Sequence, residues 1–446
     1  MDRREFLRTS AGVPMVAAMV TQAATGSRMP SIPQDDPLER KKRVEANEQI
    51  QRARRAALSI LKPSKKQLEH GLELHASSLV FESYGFSPTS AIDGDRMAEA
   101  MEAGASEIEL QDAREDMSMT RHVVDAGERQ EYMDAWEAAG VTCIFQNAGE
   151  EGIAISRLVK RLARFTYVTD MMRDFVCKAA APDDIVAAKK QNRHCLYFSG
   201  NGVPIPQDWV SAEEELRYVR VFFQLGIRMM HLTYNRRNVI GDGCGEPSDG
   251  GLSDFGRAVI AEMNRVGVIV DVAHCGWRTS REAAEISDRP IVASHTTCGA
   301  LHEHIRSKPD GVIRAIVDKG GLIGICCIPS FLGDKGDIAK MMEHVDYAVK
   351  TFGADYVAIG MDHGYTSRRA ARENAKLPKR RKSRTRWEAL WPEGALAAKP
   401  PVSQLSMAWT NWPLFTVGLV QLGYSDSDIQ KIIGGNALRV ARAALA

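Results

Sequence analysis

The 446-residue sequence lacks long apolar runs, paired cysteine spacing and any sizeable net charge. A membrane-spanning helix needs about 20 consecutive apolar residues. The early apolar stretch from Ala11 to Val20 falls short of that, so no stable transmembrane segment is expected once the N-terminus is processed. The eight cysteines (Cys143, Cys177, Cys195, Cys244, Cys275, Cys298, Cys326, Cys327) follow no CxxC pattern. That argues against a disulfide framework and a thiolate zinc cluster, and their place in or beside apolar runs makes them buried free thiols. A net charge of +1 gives no whole-protein field to gather nucleic acid or an anionic surface. The local exception, "PKRRKSRTR" from Pro378, reads as a solvated loop. With 44% hydrophobic and 26% charged residues, the chain is long enough for one large α/β domain with extensions, or for two.

The first 26 residues, "MDRREFLRTSAGVPMVAAMVTQAATG", place Arg3-Arg4 before Glu5-Phe6-Leu7, then a modest apolar stretch and small residues. This resembles a twin-arginine export signal, and implies a periplasmic or extracytoplasmic protein that folds, often with its cofactor, before it crosses the membrane. Residues 27–66 read as a linker followed by a charged amphipathic helix, Pro37 to Leu61, ended by Pro63.

From residue 67 onward eight short runs have strand character: Leu72–Leu74, Val141–Phe145, Cys195–Phe198, Met229–Leu232, Ile269–Ala273, Ile291–Ser294, Leu322–Cys326 and Tyr356–Gly360. Helical patterns such as "DFGRAVIAEMNRVG" separate most of them. Eight β/α units in residues 67–446 indicate a (β/α)8 TIM-type barrel, with an insertion near residues 85–140 and a basic loop near 376–401. The C-terminal segment ends in two helices, the second N-capped by Ser425 or Asp426.

In such barrels chemistry is built where strands end at their C-terminal edge. Reading the residue after each run gives His75, Ser199, Tyr234-Asn235, His274, His295 and Asp362. A single histidine at a strand end most often bonds to backbone. Three, converging with an aspartate on one mouth, suit Zn2+ with an open position for water. Water activated at such a metal can lose its proton near neutral pH, and Asp362 is placed to receive it.

The stretches "LTYN", "GLSDFGRAVIAEMNRVGVIVDVAHCG", "RPIVASHTT", "HIRSKPDGVIRAIVDKGGLIGI", "AIGMDHG" and "GYSDSDIQKIIGGNALRV" carry a resemblance to the membrane dipeptidase (renal dipeptidase) family, peptidase family M19, over residues 70 to 440. The resemblance implies a metal-dependent hydrolase barrel of the amidohydrolase kind. It makes His274 and His295 ligands of one zinc, and His75 the first residue of the family's HxD metal motif. Arg306 becomes the holder of the substrate carboxylate, a role a guanidinium fork suits, and Asp362 the proton carrier. Three positions depart: the motif reads His75-Ala76-Ser77, Ser199 stands where a bridging glutamate is expected, and Tyr234 replaces a substrate-contacting histidine. Without those carboxylates two adjacent dications are poorly held, so one zinc is expected, bound by His75, His274, His295 and Asp362, with Tyr234 donating to the developing oxyanion. Glu82, Gln146 and Asn201 are candidates to replace the lost ligands, though sequence alone does not place them at the site. The expected function is hydrolysis of a dipeptide or similar small amide with a free carboxylate. The alternatives are a weakened or non-catalytic ligand-binding relative, and an amidohydrolase of N-acyl amino acids or lactones. A small-molecule substrate is the expected partner, nucleic acid is not, and monomer or homodimer stays open.

Overall fold

Short β-rich runs separated by amphipathic helices leave a chain one economical arrangement, a parallel sheet whose helices cover its outside. The computed structural model describes residues 37–149, 154–379 and 389–446. The expected export signal and most of the basic run after Pro378 lie outside those residues. The strands are β1 (Phe81–Gly85), β2 (Cys143–Asn147), β3 (Val176–Lys178), β4 (His194–Gly200), β5 (Ile227–His231), β6 (Ile269–Asp271), β7 (Val292–Cys298), β8 (Ser307–Lys308), β9 (Leu322–Cys326) and β10 (Val357–Gly360). They order as β1-β2-β4-β5-β6-β7-β9-β10, all parallel, with β3 beside β4 and β8 beside β7. Just past β10 the Asp362 N–H donates to Tyr84 O at 3.3 Å, which brings the last strand to the first. This is the eight-stranded parallel barrel expected.

Strand side chains alternate between faces. Phe81, Cys143, Phe145, Cys195, Tyr197, Met229, Ile269, Val292, Leu322 and Ala358 form one buried cluster, with Phe81 stacked on Phe145 at 4.6 Å. Two residues further along the same faces come Ser199, His231 and Asp271, so the apolar layer is the floor on which the polar mouth stands. The walls are tight there. A Cβ on Gly324 or Gly360 would fall 1.9 or 2.2 Å from Ser294 O, so only glycine fits.

The helices obey local rules. Asp254–Val266 is started by Ser253, whose hydroxyl accepts from Gly256 N, and ends at left-handed Gly267; Val259, Ile260 and Met263 face inward. Ser425 is the N-cap expected near the C-terminus. The N-terminal helix splits into α1 (Pro37–Ala46) and α2 (Glu48–Leu61), because Asn47 bonds Ile50 N and so caps a new helix. Residues 85–140 carry α4 (Gly94–Glu102), α5 (Glu107–Val124) and α6 (Ala126–Ala139) after α3 (Lys65–Ser77). Ile92, Met97 and Leu110 form a small satellite core there.

The run Leu72–Leu74 is not a strand. It lies within α3, opened by the Ser64–Gln67 capping box, with Gly71, Leu74 and His75 buried on one face. Spacings of three and four are helical. The first strand is instead "FESYG", which reads as polar although all five residues are buried.

Glu82 on β1 is fully buried and accepts from the indoles of Trp409 and Trp412 at 2.8 and 3.2 Å. Burial pushes its pKa from 4.5 up to about 8. The folded chain therefore keeps a proton there that the unfolded chain releases, and stability falls as pH rises from 4.5 towards 8. Glu82→Gln removes that dependence. Its melting temperature relative to the parent, measured with chelator present, is expected to climb between pH 5 and pH 8. A constant difference would show that Glu82 is ionised in the folded protein.

Candidate metal centre at the barrel mouth

β6 and β7 are adjacent, and each delivers one imidazole. His274 follows β6 by three residues. His295 lies inside β7, which runs further than the sequence reading allowed. Their Nε2 atoms face each other at 2.9 Å. Second-layer bonds fix the tautomers. Ser294 Oγ donates its one proton to Asp271 Oδ2, so His295 Nδ1–H must donate to Ser294 Oγ, at 2.8 Å. Asn235 Oδ1 likewise receives His274 Nδ1–H at 2.7 Å. Both Nε2 atoms then carry lone pairs. Burial, then the nearby Arg306 guanidinium, hold both imidazoles far below their usual pKa, so a shared proton is disfavoured. Two facing lone pairs call for a cation.

Asp362 adds a carboxylate, its Oδ1 3.8 Å from His295 Nε2. It sits at φ +60°, a left-handed conformation that Asp tolerates better than most residues. Tyr234 stacks on His274 with ring centroids 4.1 Å apart. Trp391 stands edge-on to both rings at 6.5 Å and stacks on Phe331 at 5.8 Å. Arg306 is fully buried. Its guanidinium donates to Ala273 O and, at 3.0 Å, to His295 O, under the ring of Phe331. Lys308, also fully buried, donates to Cys275 O at 2.5 Å, and burial brings its pKa down to about 8. A cavity of about 950 Å3 borders the mouth, lined by Cys244, Trp277, His304, Ile305 and Pro392 among others.

His75 is not brought to this mouth. It belongs to α3, and its ring bonds Thr416 Oγ1 at 2.8 Å and Ala139 O at 2.9 Å. Ser77 is on the same helix, exposed, bonded to Glu73 O and Leu74 O. The HxD assignment at 75–77 therefore fails with the strand it required. Ser199 does face the mouth from β4, buried, and its hydroxyl has no partner among the described residues. Gln146 is engaged by Ser87 N and Asn147 O, Asn201 accepts from Tyr84 OH, whose ring stacks on His295 at 4.0 Å, and Glu82 gives Oε2 to the indoles while its Oε1 has no partner among the described residues.

Two residues were missed. His231 ends β5 and Asp271 ends β6; they are register partners, with His231 Nε2 2.7 Å from Asp271 Oδ2. Ligand atoms of His231, Asp271 and His295 lie within 4.8 Å of one another. The signal was alternation: His231 follows Met229, and Asp271 follows Ile269, by two. Buried imidazoles with free nitrogens beside carboxylates are the donor set of a divalent metal site, so the residues present fit such an ion.

A parallel barrel with imidazoles and carboxylates gathered at its C-terminal mouth is the architecture of a metal-dependent hydrolase. Residues 98–377 match the membrane dipeptidase family, peptidase family M19. The chain belongs to that family. It is 28% identical to dipeptidase verJ of Clonostachys rogersoniana over 225 residues, 50% of each chain. It is 32% identical to dipeptidase aclJ of Aspergillus oryzae over 150 residues, 32% of this chain and 36% of that one. The match thus spans half the length of the first relative and about a third of the second. Among solved structures, an amidohydrolase from Pseudomonas aeruginosa superposes with a TM-score of 0.59 at 26% identity, covering 84% of this chain and 98% of that one.

The two histidine environments give opposite expectations. His75→Ala leaves the Thr416 hydroxyl and the Ala139 carbonyl without their buried partner, a loss of about 1–3 kcal/mol of stability. Its metal content by elemental analysis should equal the parent's. A folded His75→Ala protein that has lost its ion would return His75 to the centre.

Proposed function

We propose that this chain is a metal-dependent hydrolase that cleaves the amide bond of a dipeptide or similar small substrate with a free carboxylate. The observation that carries this reading is the facing pair of unprotonated Nε2 atoms on His274 and His295. When bound, the ion supplies Lewis acidity for the scissile carbonyl and for water. Arg306 fixes the substrate carboxylate by a charge-assisted fork, which orients the amide. Asp362 takes the proton from water and returns it to the leaving nitrogen. Tyr234 donates to the carbonyl oxygen as charge builds on it. Phe331 and Trp391 keep the site dry, which strengthens each of these interactions.

The twin arginines and short apolar stretch of residues 1–26 support export by the twin-arginine route. Among the described residues no helix is long and apolar enough to cross a membrane. One observation favours a second reading, a barrel that binds a carboxylate ligand without turning it over: the neutral Ser199 hydroxyl stands where the family resemblance calls for an anionic ligand. Assays against dipeptides, N-acyl amino acids and lactones, with metal content measured alongside, separate these functions.

Removing one partner of a buried charged pair costs about 2–5 kcal/mol. Arg306→Ala should therefore weaken a carboxylate-bearing ligand more than tenfold beyond its effect on the amidated analogue, measured by calorimetry. Equal losses for the two ligands would make Arg306 a purely structural residue. His274→Ala and His295→Ala should each strip the ion from a folded barrel.

A further inference from the structure

We propose that His231 is the third imidazole of a single-ion centre, taking the place of the anionic ligands this chain lacks. The proposal rests on the reading above that the mouth holds a metal. It concerns a residue inside β5 that lies outside every stretch carrying the family resemblance.

His231 is the last inward residue of β5, one pleat above Met229 of the apolar floor. Its neighbours in the sheet are β4, which carries Ser199, and β6, which carries Asp271. The ring is fully buried, with its centroid 5.2 Å from His274 and 5.3 Å from His295. Its Nε2 lies 2.7 Å from Asp271 Oδ2, and its Nδ1 makes no hydrogen bond among the described residues. Leaving Nδ1 unbonded in a sealed site is unfavourable, and a divalent ion at the mouth removes the penalty.

Asp271 has a different part. Its Oδ1 accepts from Ala273 N at 2.9 Å and Ser294 N at 3.1 Å, and its Oδ2 accepts from Ser294 Oγ and lies 2.7 Å from His231 Nε2. With its lone pairs taken up in this way, Asp271 is an orienting group. It holds His295 through Ser294 and holds His231 directly, leaving His231 Nδ1 as the nitrogen for the ion. A carboxylate behind an imidazole fixes the ring and raises its basicity. Three neutral imidazoles suit one divalent ion with an open position. They suit two ions badly, because Ser199 offers no negative charge to place between dications. The structure thus assigns one ion, three imidazoles and a positioning carboxylate.

The test uses the full chain, stripped with chelator and titrated with Co2+. One tight equivalent is expected, and the Zn2+-loaded parent should show three imidazole nitrogens by X-ray absorption. That measurement needs no variant, so it stands even where a substitution disturbs folding. His231→Gln should lower Co2+ affinity at least tenfold and reduce the imidazole count to two, with the metal-free melting temperature compared as a check on folding. Two imidazoles in the parent, or unchanged affinity in His231→Gln, would overturn the assignment. If His274→Ala still strips the ion in that case, the metal reading survives without His231. A parent that binds no Co2+ would overturn both.

Discussion

The structure turns on the 2.9 Å approach of two unprotonated nitrogens, His274 Nε2 and His295 Nε2. Nothing about that contact is favourable by itself. It exists because Asn235 and Ser294 hold the far sides of the rings, and because Asp271 fixes Ser294 in turn. Asn235 itself adopts a left-handed backbone at φ +51°, a conformation asparagine accepts better than most residues. The barrel builds this strained arrangement on a rigid floor of stacked aromatic and branched side chains. Local strain of this kind persists only when the surrounding structure over-determines it.

How much of this the sequence disclosed depends on the kind of signal. The runs from Val141 onward fell on β2, β4, β5, β6, β7, β9 and β10, because buried parallel strands are written as short apolar bursts between helical patterns. The first strand was lost for the opposite reason. "FESYG" carries a carboxyl, a hydroxyl and a phenol, and all are buried by partners distant in sequence, such as Trp409 and Ser294. The short apolar run Leu72–Leu74 before His75 mimics a strand but belongs to a helix, which carries His75 away from the site. The pairing of His75 with Thr416 spans 341 residues, a separation that no local pattern encodes.

His231 and Asp271 were overlooked although their signal is local. The site residues legible in the sequence follow its apolar runs, where loops are expected to begin. In β5 and β6 the final inward residue lies within the strand, where an apolar residue is the ordinary occupant. A histidine and an aspartate at those positions, register partners across two strands, break the apolar rule twice at one level of the barrel. A break of that kind marks a site, since buried ionisable groups persist where they are paired or hold a ligand.

Charge completes the picture. Arg306 and Lys308 are both fully buried, and both give their hydrogen bonds to backbone carbonyls rather than to carboxylates. Their positive fields reach His274 and His295 and help keep those rings neutral. Carbonyl dipoles solvate a cation without neutralising it, and the carboxylates of Asp271 and Asp362 are the groups at the mouth that offset these charges under the cover of Phe331 and Trp391. A divalent ion held by neutral imidazoles would tip that balance to positive. A carboxylate-bearing substrate would then supply the missing negative charge, which ties recognition by Arg306 to the composition of the metal centre. On the function proposed above, selectivity for an anionic ligand would be a property of the whole mouth, since an amidated analogue would leave the added charge of the ion uncompensated.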